Sequence, residues 1–201
     1  MIEPDTDEEL FIRIHSGDEQ AFVSLYRRRQ AGIFRFALHM SGSEAVAEDV
    51  TQDVFLALIR ECGFDPRRGT LSGYLYGIAR KLVLRHMERG RTDALLESDL
   101  DQAQLPQVAA MHDPLAEMTR REGIEALRRA VMALPRRYRE VVVLCDLEEV
   151  DYAEAAEVLG CPIGTVRSRL HRARGLLLEK LNQEKQKRTG ISVLKPARSL
   201  I

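Results

Sequence analysis

Residues 160–162 have the sequence Gly-Cys-Pro and separate two segments of helical periodicity, which constrains the fold more than any other feature. Asp151 is placed to cap the first segment, and Glu154 is placed to complete a capping box. The glycine suits the left-handed position that ends a helix, and the proline suits the first turn of the next helix. Residues 151–174 therefore predict a helix-turn-helix.

The second helix of this unit has an apolar face and a basic face. Four arginines and one histidine, with no acidic residue, lie between Thr165 and Arg174. Arginine can form two hydrogen bonds to guanine in the major groove, and flanking arginines suit phosphates. The alternative is an amphipathic helix whose basic face is only solvated and binds no DNA. The pattern favours a DNA-recognition helix, whose candidate contacts are Thr165, Arg167, Ser168, Arg169, His171, Arg172 and Arg174.

Helical periodicity elsewhere predicts an all-α fold of two small domains joined by an acidic linker. Further helices are predicted at about 18–39, 43–61, 70–88, 115–133 and 135–147, before those at 151–159 and 163–181. The linker is expected to be flexible, and the basic tail is expected to be disordered. The predicted ranges are 10–91 and 114–182 for the domains, 92–113 for the linker and 183–201 for the tail.

Composition excludes several classes of protein. The chain has 201 residues and a net charge of −1, so nucleic-acid binding requires local basic patches. Three separated cysteines offer no zinc knuckle, and we expect inert thiols in a reducing cytoplasm. No apolar run is long enough to span a membrane, and the acidic start is unlike a signal peptide. No motif for a metal, a cofactor or nucleotide hydrolysis is present, so we expect no enzymatic activity.

Four segments of the chain carry a family resemblance when they are taken together. In order, they are AEDVTQDVF at 47–55, YLYGIAR at 74–80, LPRRYREV at 134–141 and CPIGTVRSRLHRAR at 161–174. These segments resemble the extracytoplasmic-function (ECF) group of bacterial sigma factors, over about residues 10–182. The resemblance implies a subunit that binds core RNA polymerase, recognises promoter DNA and promotes transcription initiation. It also implies an anti-sigma partner, and it implies neither a cofactor nor membrane insertion.

The predicted helix at 44–60 has an unusual polar face. Opposite its apolar stripe lie Asp49, Gln52, Asp53 and Leu56. An exposed leucine among acids and an amide suits a basic protein partner, although a solvated acidic face is the alternative. The resemblance identifies that partner as the clamp of the largest polymerase subunit.

A basic stretch surrounds the predicted helix at 70–88. From Phe64 to Arg91 there are seven basic residues and two acidic ones, a balance that favours phosphate binding. The resemblance implies that this helix recognises the minus-10 element and that the loop before it captures a flipped base. The family usually has Trp and Asn at positions 74 and 81. The candidate contacts are Arg68, Gly69, Thr70, Tyr74, Arg80 and Lys81.

Two other functions remain open from the residues alone. A stand-alone helix-turn-helix regulator would bind a palindrome as a dimer and would not bind core polymerase. A DNA-processing enzyme would require metal-binding carboxylates, for which Glu48, Asp49 and Asp53 are candidates, but no histidine and no third acid from a neighbouring motif converge on them. The acidic linker could either enter basic channels of the polymerase or serve as a solvated spacer.

Overall fold

The computed structural model describes residues 5–60, 63–96 and 114–189, and these residues form helices and turns with no strand among them. The N-terminal half contains α1 (Asp7–His15), α2 (Glu19–Ser41), α3 (Glu44–Arg60) and α4 (Leu71–Leu96). The C-terminal half contains α5 (Pro114–Met132), α6 (Arg136–Val142), α7 (Tyr152–Leu159) and α8 (Ile163–Thr189). The predicted all-α fold is confirmed.

Helix α1 is an element that the sequence analysis did not separate from its surroundings. Thr6 and Glu9 form a reciprocal capping box, with N–H to oxygen distances of 2.8 and 3.2 Å. Gly17, at φ +90°, follows the end of the helix, and Asp18 then caps α2. The buried Asp7 carboxylate accepts from Arg28 at 2.7 Å, which ties α1 to α2.

The core of the N-terminal half lies among α2, α3 and α4. The predicted apolar stripe of α3 is confirmed, because Val50, Val54 and Leu58 are fully buried. Phe36 of α2 and Leu75 of α4 close this core. Burying a side chain of this size contributes about 1.5–3 kcal/mol, so the stripe fixes which face of α3 points outward.

Helices α7 and α8 form the predicted helix-turn-helix. Asp151 accepts from the N–H groups of Ala153 and Glu154, both at 2.8 Å, and Gly160 ends α7 at φ +63°. The expected capping box is incomplete. The Glu154 side chain does not return to its own cap but packs against Gly73 of α4.

The two halves of the chain pack against each other through charged groups. Arg35 of α2 donates to both carboxylate oxygens of Glu148, at 3.0 and 2.7 Å. Arg80 of α4 donates to Glu140 of α6 at 3.0 Å. Sequence analysis predicted two domains and a linker, but it contained no signal for these contacts between residues far apart in the chain.

The predicted boundaries of linker and tail differ from the helix ends. Helix α4 extends to Leu96, so residues 92–96 of the predicted linker are helical, and 97–113 lie outside the described residues. Helix α8 likewise extends to Thr189, and the rest of the predicted tail lies outside the description.

Candidate functional site

The outward face of α8 presents the predicted recognition side chains. Val166, Leu170 and Ala173 are buried against the rest of the C-terminal half. Their burial turns the opposite face to the surface, where Arg167, Ser168, His171 and Arg172 are exposed and Thr165 and Arg169 are partly buried. No acidic residue lies on this face between Thr165 and Arg174. The helix can therefore present hydrogen-bond donors and positive charge to a DNA groove.

The flanking arginines of α8 have partners within the chain. Arg174 donates to both oxygens of Asp146, at 3.0 and 2.6 Å, and this pair raises the pKa of Arg174. Arg169 approaches the Cys161 thiol at 3.9 Å. The Asp146 pair anchors α8 to the π-helical turn Val143–Leu147, so Arg174 has a structural contact in addition to its predicted role.

The loop before α4 is shaped by two caps and a glycine. Asp65 caps the short 3₁₀ helix Pro66–Arg68, accepting from Arg67 N at 3.0 Å. Thr70 caps α4, because its hydroxyl accepts from Gly73 N at 3.0 Å. Gly69 between them has φ +141°, a value that favours glycine.

This loop borders a cavity of about 760 Å³. Phe64 forms its apolar side and packs edge-to-face on Phe11, with ring centroids 5.2 Å apart, and against Tyr74 at 5.6 Å. Five of the six predicted minus-10 residues line the cavity, namely Arg68, Gly69, Thr70, Tyr74 and Lys81. The sixth, Arg80, is instead paired with Glu140.

The list of candidate contacts left out other residues around this cavity, although the predicted base-capturing loop at 64–70 includes Phe64. Phe64, Gly73 and Gly77 line it from the N-terminal half, and Glu157 and Val158 of α7 line it from the C-terminal half. The small residues at 73 and 77 recur one turn apart on α4, which was an available signal. The contribution of α7 had no local signal, because it depends on how the two halves pack.

A groove of about 790 Å³ lies between α2 and α3. It brings together three of the four predicted polymerase-binding residues, Asp49, Gln52 and Leu56. Leu56 is 39% exposed and Ile59, which the prediction omitted, is 49% exposed. Its aromatic floor was also left out of the candidate contacts, and α2 contributes Phe22, Tyr26 and Phe34 to it while α3 contributes Phe55.

The fourth predicted residue of that face, Asp53, lies in an adjoining groove between α3 and α4. Lys81 and Arg85 of α4 and Arg60 of α3 line the same groove. Leu56 borders both grooves, so the two surfaces are continuous. The α2–α3 groove, with its acidic and apolar side chains, thus lies beside the α3–α4 groove, which is lined by basic side chains.

Burial shifts the pKa values of a histidine and a cysteine that lie away from these surfaces. Burial, with Arg128 and Arg35 nearby, lowers the pKa of His39 to about 4. Burial, with Asp146 nearby, raises the pKa of the Cys145 thiol to about 11, which disfavours the reactive thiolate. Within the described ranges, no group of three or more potential ligands could hold a metal ion, and no helix could cross a bilayer.

Family models match both halves of the chain. The model described as sigma-70 region 2 matches residues 25–92, which include α3, the cavity loop and most of α4. The model described as sigma-70 region 4 matches residues 124–177, which include the helix-turn-helix. The order of the two matches is that of the predicted domains.

Individual relatives extend the likeness to most of the chain. The ECF RNA polymerase sigma factor SigE of Mycolicibacterium smegmatis is 36% identical over 176 residues, 83% of this chain and 65% of that protein's length. SigM of Mycobacterium tuberculosis, also named an ECF sigma factor, is 31% identical over 86% of this chain and 83% of its own. The solved structure of CnrH in complex with the cytosolic domain of CnrY has a TM-score of 0.65. It is 27% identical, covering 90% of this chain and 99% of that one.

Proposed function

Because the chain belongs to the ECF group of RNA polymerase sigma factors, we propose that it joins core polymerase, recognises promoter DNA and promotes initiation. The observation that carries this proposal is an acidic and apolar groove on one half of the chain and a basic helix face on the other half. A stand-alone regulator requires only the basic face. A subunit that binds both core polymerase and promoter DNA requires the groove as well as the basic face.

We assign each surface one task. The exposed face of α8, with Arg167, Ser168, His171 and Arg172, recognises the minus-35 element. The cavity beside Gly69 and the first turns of α4 receive the minus-10 element, with Lys81 at its edge to contact phosphate. Unstacking a base costs a few kcal/mol, and a cavity with aromatic walls can repay that cost by stacking.

The α2–α3 groove is the surface for the polymerase. Asp49 and Gln52 supply acceptors around Leu56, which suits a basic partner with an apolar contact at its centre. On this reading the protein acts by binding energy and requires neither a catalytic residue nor a cofactor. It works where the polymerase works, in the cytoplasm.

We also infer a regulatory protein partner of the anti-sigma kind. The supporting observation is that CnrH, to which this chain is similar along most of its length, was solved in complex with the cytosolic domain of CnrY. Such a partner would compete with polymerase for exposed apolar surface such as Leu56 and Ile59.

The test is run-off transcription with core polymerase over a library of promoter sequences. Addition of the protein should produce transcripts from a subset of promoters that share two separated elements. A parallel pull-down with core enzyme should retain the protein. If core enzyme fails to retain it while the protein alone protects a palindrome, the chain is a stand-alone regulator.

A further inference from the structure

Helix α1 contacts both ends of the loop that precedes α4. At the start of the loop, Phe11 packs edge-to-face on Phe64, with ring centroids 5.2 Å apart. At its end, a carboxylate oxygen of Glu8 accepts from the Leu71 N–H at 3.1 Å. Residues 8 and 11 are three positions apart on one helix and therefore share a face. One face of α1 thus reaches from the first residue of the loop to the first turn of α4.

A second set of contacts fixes the position of α1 itself. The buried Asp7 carboxylate accepts from Arg28 at 2.7 Å and also from Arg29. Arg29 in turn donates to the Ser72 hydroxyl, in the first turn of α4, at 3.4 Å. Leu10 is buried in the core. Because the two arginines belong to α2 and the serine to α4, these ionic and polar contacts hold α1 on the N-terminal half of the chain.

Between its two anchored ends, the loop is ordered by its own hydrogen bonds. The Asp65 carboxylate accepts from the Arg67 N–H at 3.0 Å, and the Arg68 N–H donates to the Asp65 carbonyl at 2.9 Å. Arg68, Gly69 and Thr70 then line the cavity. A loop that is ordered before it binds avoids the entropy cost of becoming ordered on binding. The contacts that α1 makes to the loop therefore bear on how well the cavity accepts a base.

We propose that α1 preorganises the loop at 64–70 for base capture, with Glu8 and Phe11 as positioning residues for the minus-10 cavity. The inference rests on the function proposed for that cavity. Neither of these two side chains is among the residues that line the cavity, so each acts through the loop rather than by contact with DNA. The region 2 family model matches residues 25–92, which begin after α1, so that match assigns no role to this helix.

Glu8 makes its contact through one carboxylate oxygen. The first N–H groups of a helix have no acceptor within that helix, so an acceptor from another element satisfies one of them. A carboxylate beside a helix N-terminus also interacts favourably with the helix dipole. Alanine at position 8 removes the acceptor from the Leu71 N–H, whereas glutamine keeps an acceptor oxygen without the charge. The two substitutions therefore separate loss of the anchor from loss of the charge.

The test compares base capture by the polymerase holoenzyme. Forked promoter fragments, chosen from the run-off library, carry either the natural base or an abasic site at each unpaired minus-10 position in turn. At the captured position, holoenzyme with the unmodified protein should bind the natural base on the order of tenfold more tightly, as stacking on aromatic side chains predicts. Glu8→Ala should reduce this ratio to about threefold or less and leave affinity for the abasic fragment unchanged. Glu8→Gln should retain most of the ratio.

Phe11→Leu tests the other anchor and keeps an apolar side chain at a buried position. It should lower the same ratio, and it decides the question if Glu8→Ala fails to fold. The matched controls are Glu179→Ala, at an exposed glutamate on α8, and Ile12→Ala, at an exposed position on α1 itself. Both controls should retain the full ratio. Melting temperatures of the same proteins show which variants are folded.

Three outcomes would contradict the inference, and one of them also removes the function proposed for the cavity. A base preference in folded Glu8→Ala and Phe11→Leu equal to that of the unmodified protein would overturn the role of α1 alone. An equal loss of affinity for both fragments would do the same, because it indicates a general structural defect. If the unmodified protein itself binds both fragments equally at every minus-10 position, the cavity captures no base and both proposals fail.

Discussion

At the scale of single residues, local partners divide the arginines of α8 into two groups. Arg172 is exposed on the outward face. Arg174 already donates two hydrogen bonds to Asp146. An exposed ion pair contributes only about 0–1 kcal/mol, but its geometry holds the guanidinium in place. The two residues should therefore differ in what their removal does to DNA binding.

Replacing Arg172 by Ala should cost about 1–3 kcal/mol of promoter binding and relax specificity at one minus-35 position, if it contacts a base. Arg174→Ala is the matched comparison, and it should weaken binding to all sequences by a similar, smaller factor. Binding of the polymerase holoenzyme to a set of minus-35 variants measures both effects. A uniform loss across the set for Arg172→Ala would make that residue a phosphate contact.

His39 should make stability depend on pH. Its pKa is about 4 in the folded protein, because of burial and the nearby Arg128 and Arg35, against about 6.5 when unfolded. The folded protein thus favours the neutral form of His39. This contribution to stability is fully present above pH 6.5 and is lost as the pH falls towards 4. Between pH 7 and pH 5 the free energy of unfolding should fall by about 1–2 kcal/mol. Urea unfolding measures it, and the fall should be smaller in His39→Gln.

At the scale of elements, helix faces could be predicted where a buried stripe repeats along one helix. Val50, Val54 and Leu58 set the orientation of α3, so its outward residues followed from the sequence. The same reasoning placed Arg167 and Arg172 on the exposed side of α8. Each inference used only neighbours within one helix, where spacing fixes direction.

Other features of the site could not be predicted because they depend on contacts between distant elements. The aromatic residues on the floor of the α2–α3 groove, such as Tyr26, were not among the candidate contacts, because only the packing of two helices places them along a groove. Asp53 faces the α3–α4 groove rather than joining Asp49, since α4 packs beside it. Helix α1 was not separated from its surroundings, although the capping box of Thr6 and Glu9 and the residue Gly17 mark its two ends.

The exposed apolar rim of α3 should bind the polymerase without supporting the fold. Leu56→Ala should weaken binding to core enzyme by at least about 1 kcal/mol, since central apolar contacts dominate interfaces. Its melting temperature should stay close to that of the unmodified protein, because the side chain is already 39% exposed. Ile12→Ala, at an exposed position on α1, is the control and should leave binding unchanged. A large fall in melting temperature for Leu56→Ala would instead indicate a structural face.

At the scale of the whole molecule, the two halves are coupled by ion pairs in which only the carboxylate is buried. Glu140 and Glu148 are almost fully buried, whereas their arginine partners are partly exposed. Burial raises the pKa of Glu148 despite the opposing effects of Arg35 and Tyr76, so desolvation of that carboxylate is costly. Such ion pairs add little net stability when both partners are present, so the two halves can separate. Loss of one partner is costly, because it leaves a buried charge without its counter-ion, and this makes the contact specific.

The strength of this coupling can be measured at Arg80. Arg80→Ala leaves the buried Glu140 carboxylate without its cation and should lower the free energy of unfolding by about 3 kcal/mol. Adding Glu140→Gln removes the uncompensated charge, so the double variant should recover most of that loss. The exposed Arg67→Ala serves as the control for removing one arginine. Calorimetry should show the two halves melting together in the unmodified protein and separately in Arg80→Ala. If Arg80→Ala behaves like Arg67→Ala, the halves are not coupled through this pair in solution.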